Sequence, residues 1–128
     1  MLSWQTILAI GCGGFLGAVA RAYFVHLSNK YIPLELPIGV LLVNIVGSFL
    51  IGILFAVFAH YTLNINAKAF LTTGFLGALT TYSTFAIETF FLFQTSIILA
   101  TANIVLNVVG TIFAASIGYK LIQFILNH

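Results

Sequence analysis

The residues best suited to chemistry lie in one stretch: Thr72, Thr73, Gly74, Phe75, Leu76, Gly77, Ala78, Leu79, Thr80, Thr81, Tyr82, Ser83, Thr84 and Phe85, with Glu88 beyond. Two glycines followed by hydroxyl residues weaken a helix, so the pattern predicts a break between Gly77 and Thr81. An interrupted helix leaves bare carbonyl oxygens at the end of its first half and bare amide N–H groups at the start of its second. Those partial charges suit a cation and an anion respectively, which is ion chemistry without an ionised side chain. The same hydroxyls can instead bond to carbonyls one turn earlier and merely kink the helix, so the local pattern is compatible with either form.

Further polar groups lie where lipid would penalise them: Asn44, and Asn103, Asn107 and Thr111 at steps of four. By helical rise Asn44 lies about 7 Å from the centre of its apolar run, Asn107 about 6 Å, and Thr111 almost at the centre. A column that deep either bonds to a neighbouring helix or lines a conduction path, and the two roles are compatible. Tyr82 and Phe85, three apart, share a helix face beside Ser83, Thr84 and Glu88. Aromatic rings carry a positive edge, and rings presented edge-on stabilise a poorly hydrated anion. Glu88 and Arg21 each lie about 10 Å from a run's midpoint, within reach of the interface or of a vestibule.

Other chemistries lack their parts. There is no Ser, His and acid set at workable positions and no phosphate loop, and His26, His60 and His128 sit near the ends of apolar runs, which argues against an enzyme. Cys12 is a lone cysteine among glycines, so neither an intrachain disulfide nor a cysteine metal cluster is expected. Arg21, Lys30, Lys68 and Lys120 are scattered rather than clustered, which argues against a nucleic-acid partner.

The elements that must position these residues follow from composition. With 62% hydrophobic and only 5% charged residues, the chain cannot build the polar shell of a soluble domain, so its solvent is the lipid bilayer. A crossing takes about 20 residues. Apolar runs at about 4–27, 38–60, 69–93 and 97–125 predict an all-α membrane protein of four transmembrane helices, one domain over 1–128, with the third helix broken near its midpoint. No Lys or Arg precedes the first run, so it lacks the basic region of a secretory signal and is expected to stay.

An even number of crossings puts both termini on one side. Lys68 and Lys120 then lie on that side and Arg21 and Lys30 on the other. This balance predicts insertion in both directions and antiparallel pairing of identical subunits, or else one weakly biased topology. Small residues recur at four-residue spacing at Gly13 and Gly17, Ser48 and Gly52, and Gly110, Ala114 and Gly118. Some of these faces are expected to meet a second subunit, which favours a homodimer.

Three segments carry a family resemblance: GGFLGAVAR ending in Arg21, VNIVGSFLIG containing Asn44, and GFLGALTTYSTF followed by Glu88. Through them the chain resembles the Fluc-type fluoride channels of microbes over nearly its whole length. The resemblance implies a dual-topology antiparallel homodimer in the cell membrane, whose two pores pass fluoride passively out of the cytoplasm and lower its toxic level. It also implies that Gly77 and Thr80 offer backbone carbonyls to a structural sodium ion at the dimer centre, and that Asn44 is a pore hydrogen-bond donor. Ser83, Thr84, Glu88, Asn107 and Thr111 would form a polar track, with Arg21 and Asn103 towards a vestibule.

The family places two phenylalanines after the break; Phe85 matches the second, and Tyr82 stands where the first would be. Tyrosine keeps the aromatic edge and adds a hydroxyl donor, which predicts retained fluoride conduction with altered rate or affinity.

Two other readings use the same architecture. A small multidrug-resistance-type proton-coupled exporter relies on a carboxylate in its first helix, whereas here the intramembrane acid is Glu88 in the third. A non-transporting accessory subunit would use the polar stripe only to dock a partner.

Overall fold

Ser3 starts the first helix by accepting a hydrogen bond from the Thr6 N–H at 3.2 Å. In the computed structural model, which describes residues 2–128, helix α1 then runs Trp4–Tyr31. It continues past the expected end at Leu27 because Ser28, Asn29 and Lys30, though polar, serve as its last turn. Lys30 lies where the helix dipole favours a cation. The Asn29 side chain accepts from the Gly39 N–H at 3.1 Å, supplying the cap that Pro37 lacks at the start of α2, Ile38–His60.

Asn64 starts α3, Ile65–Ala69, by accepting from the Asn66 N–H at 2.6 Å. The Thr6 hydroxyl donates to Asn66 Oδ1 at 2.6 Å and ties this start to the beginning of α1. The helix next widens into a π-helical segment, Phe70–Leu76, narrows again in the short α4, Gly77–Leu79, and stops. It resumes as α5, Tyr82–Thr95. Ser96 ends α5 and caps α6, Ile97–Leu126, accepting from the Leu99 N–H at 3.2 Å. The four helical stretches long and apolar enough to cross a membrane are Trp4–Tyr31, Ile38–His60, Ile65–Thr95 and Ile97–Leu126.

Two glycine-mediated contacts bring these helices together. Helix α1 lies so close to the π-helical segment that a Cβ on Gly13 would strike the Phe70 carbonyl oxygen and one on Gly17 the Phe75 carbonyl oxygen. Helices α2 and α6 meet the same way, Gly52 against the Ala115 carbonyl and Gly118 against the Phe49 carbonyl. The small faces expected to meet a second subunit are therefore largely used inside one chain. The sequence could not separate the two uses, because close backbone approach has the same spacing within a subunit as between subunits.

Candidate ion site at the interrupted third crossing

The break occupies two residues. Thr80 (φ −85°, ψ 154°) and Thr81 (φ −147°, ψ 116°) are extended, while Gly77–Leu79 remains helical, so the predicted interval of Gly77 to Thr81 narrows to its last two positions. Hydroxyl back-bonding occurs there too: the Thr80 hydroxyl donates to the Leu76 carbonyl at 3.0 Å. Back-bonding and interruption thus coexist at the same residue.

What holds the chain open is a side chain on another helix. The Thr81 N–H donates to Asn44 Oδ1 at 2.8 Å, and Asn44 Nδ2 donates to the Thr81 carbonyl at 3.1 Å. A carboxamide has the same donor and acceptor as a peptide group, so Asn44 pairs with Thr81 as a neighbouring β-strand would. This satisfies both backbone groups of a buried residue that has left its helix. Gly47, nearly one turn further along α2, leaves room for the Thr80 methyl group. The Thr81 hydroxyl then caps α5, accepting from the Thr84 N–H at 3.3 Å.

The interruption opens onto a cleft of about 470 Å³ whose lining includes Asn44, Gly77, Thr80, Tyr82, Phe85, Asn107 and Thr111. Gly77 at the start of α4 and Tyr82 at the start of α5 both line this cleft, on either side of the extended Thr80 and Thr81. Gly77 is exposed, and a Cβ there would meet only the Thr72 carbonyl, at 3.4 Å. Tyr82 is 78% exposed and Phe85 6%, and their rings pack edge to face with centroids 5.3 Å apart.

A chain of amides leads away from the break. Asn44 Nδ2 also donates to Asn107 Oδ1 at 3.0 Å, and Asn107 Nδ2 to Asn103 Oδ1 at 3.1 Å. Both Asn44 amide hydrogens are thereby engaged by protein acceptors, so donation to a pore ion would require one of them to be exchanged. Thr111 gives its hydroxyl hydrogen back to the Asn107 carbonyl. Tyr82 lines the cleft, and among the described residues its hydroxyl has no hydrogen-bond partner.

Several expected positions fall elsewhere. Asn103 is only 1% exposed and lies inside the helix packing, where its amide donates to Thr89 Oγ1 at 2.9 Å. Ser83, Thr84 and Glu88 do not line the cleft: a helix advances about 100° per residue, which carries Ser83 and Thr84 off the face of Tyr82 and Phe85, and Glu88 lies about 9 Å further along α5 than Tyr82. Arg21 is likewise away from the cleft and half-buried on α1. Thr89, which gives its hydroxyl hydrogen to the Phe85 carbonyl at 2.7 Å, carried no signal in the sequence beyond being a lone hydroxyl in an apolar run.

A membrane-crossing helix opened at mid-span, with Gly77, Thr80, Tyr82 and Phe85 lining a common cleft, belongs to a small multi-pass membrane protein. Residues 8–119 match the family described as CrcB-like protein, Camphor Resistance (CrcB). A protein of Sulfurimonas denitrificans named fluoride-specific ion channel FluC is 55% identical over 124 residues, covering 95% of this chain and 96% of its own. Proteins of the same name from Nautilia profundicola (45% identical; 98% of this chain and 99% of its own) and Campylobacter jejuni (44%; 90% and 95%) are similar. The chain belongs to this CrcB-like family of fluoride-specific channel relatives.

Proposed function

We propose that the protein is a passive fluoride channel that lets the ion leave the cytoplasm, working as an antiparallel homodimer with a structural sodium ion at its centre. The observation that carries this reading is the interrupted crossing, which brings the extended Thr80 and Thr81 together with Tyr82 and Phe85 at one cleft, in a chain 55% identical to a relative named for fluoride. Fluoride holds its water tightly, so a pore has to replace lost hydration with donors and positive ring edges. The amide end of α5 and the Tyr82 hydroxyl offer donors and the Tyr82 and Phe85 rings offer edges, without a fixed positive charge to trap the ion.

The open cleft on the subunit surface, with Gly77 and Tyr82 exposed half-way along the third crossing, supports the second copy in this reading. Bare backbone at that depth needs protein or a water-filled cavity over it rather than lipid. Sodium is a hard cation that prefers oxygen ligands, and the uncapped carbonyls at Gly77 and Thr80 are of the right kind. Among the described residues no group of three or more His, Cys, Asp or Glu could hold a metal, so peptide oxygens are the fitting donors. When bound, the ion would supply positive charge and join the two subunits; Gly77 and Thr80 would do the holding.

The test is a fluoride-electrode measurement on liposomes containing the purified protein. Fluoride efflux unaffected by an imposed proton gradient, from a particle of twice 13.9 kDa, is the expected result. Efflux that follows the proton gradient would instead indicate the exporter, and silence an accessory subunit. In the same assay Tyr82→Phe, which removes the free donor but keeps the ring, is expected to conduct fluoride with a rate changed about threefold to tenfold, the range for one hydrogen bond. Equal rates would show that the hydroxyl does not meet the ion.

A further inference from the structure

Helix α5 carries the two rings at the cleft, yet little apolar burial holds it in place: Phe85 and Thr89 are its buried residues. Its fixation is polar, and comes at two points. The first is Thr81, the cap residue gripped by Asn44. The second is Thr89, eight positions on and about 12 Å away by helical rise, which accepts from Asn103 Nδ2 at 2.9 Å while donating to the Phe85 carbonyl at 2.7 Å.

Between those two points the hydrogen bonds form a closed circuit through α2 and α6: Thr81, Asn44, Asn107, Asn103, Thr89 and back to α5. Its direction is set at both ends by groups that cannot reverse. The Thr81 N–H can only donate, so Asn44 must turn its oxygen to it. The Phe85 carbonyl can only accept, so the Thr89 hydroxyl must donate to it and take its own bond from Asn103. In the middle the Asn103 backbone carbonyl accepts from Asn107 Nδ2 at 2.9 Å and fixes that amide independently. Every amide in the circuit therefore has one allowed orientation.

We propose that Thr89 and Asn103 are positioning residues for conduction: by pinning α5 at a second point they fix its rotation and so aim the Tyr82 and Phe85 rings at the cleft. A helix held only at its cap can swivel about that cap; one held at two points cannot. Neither residue lines the cleft, so the effect on an ion is transmitted through α5. This inference rests on the channel reading for its functional half alone.

The test compares Thr89→Val, which keeps the shape and removes the hydroxyl, with Thr89→Ser, which restores it. Fluoride flux and the fluoride-over-chloride reversal potential are measured in liposomes, and hydrogen exchange over residues 80–95 in detergent. Thr89→Val is expected to lower flux about fivefold, the factor for one lost hydrogen bond, to shift the reversal potential towards chloride, and to speed exchange in α5. Thr89→Ser is expected to return all three towards the parent. If Thr89→Val does not assemble, Thr89→Cys, of similar size and a weaker donor, takes its place in the comparison.

Parent-like flux, selectivity and exchange in a folded Thr89→Val protein would overturn the proposal, as would equal impairment of Val and Ser variants, because Ser keeps the hydroxyl. A parent protein that passes no fluoride would count against the channel reading, while the exchange measurement would still decide whether α5 is pinned.

Discussion

Replacing Asn44 with leucine is expected to reduce fluoride efflux more than about thirtyfold, a loss that follows from two orphaned backbone groups. In the native chain the Asn44 carboxamide satisfies both the N–H and the carbonyl of Thr81. Leucine has the same branched skeleton but nothing to offer either, and each buried group left unpaired costs about 1–3 kcal/mol. The segment has two ways to respond. It can wind Thr80 and Thr81 back into the helix, which withdraws the carbonyl and amide ends from the cleft, or it can keep its shape at a cost that depopulates it. Either response removes the arrangement on which conduction rests. The measurement is initial efflux per protein in liposomes after the variant's mass in detergent has been checked; a rate within a factor of two of the parent would show that the break is held by something else.

The second large effect is one of packing. Gly52→Ala should lower stability in detergent by about 1–3 kcal/mol, because the added methyl meets the Ala115 carbonyl of α6, which is backbone and cannot rotate away. Gly17→Ala should act alike through the Phe75 carbonyl. Gly11→Ala is the control: a Cβ there has nothing within 4 Å, and alanine favours the helix, so its thermal unfolding is expected at or slightly above that of the parent. Unfolding followed by light scattering on heating ranks the three, and a Gly52→Ala protein as stable as Gly11→Ala would refute the close approach of α2 and α6.

These two cases also mark how far the sequence could be read. The crossings were legible because hydropathy is a local sum, and the break was legible because Thr80 and Thr81 follow two glycines in an otherwise apolar run. Its cause was not: the carboxamide that opens the helix lies 37 residues away, and nothing local links Asn44 to Thr81. The stripe of Asn103, Asn107 and Thr111 was visible as a stripe, but spacing alone cannot tell a wet column from a dry one. The structure divides it: Asn107 and Thr111 line the cleft, while Asn103 is enclosed among the helices and joins the stripe to Thr89 by hydrogen bonds. The small-residue faces misled in the same manner, since whether a glycine serves its own chain or another depends on where the remaining helices fall.

A side chain that imitates a peptide bond frees the opened segment from depending on its own residues to stay unwound. The information for the kink is stored on the opposite helix, as a single amide paired with the second of two consecutive extended threonines. That makes it transferable: an asparagine set at mid-span on one designed helix, with a glycine three positions on to admit a threonine methyl, is a compact recipe for building a dipole gap into a membrane bundle that has none.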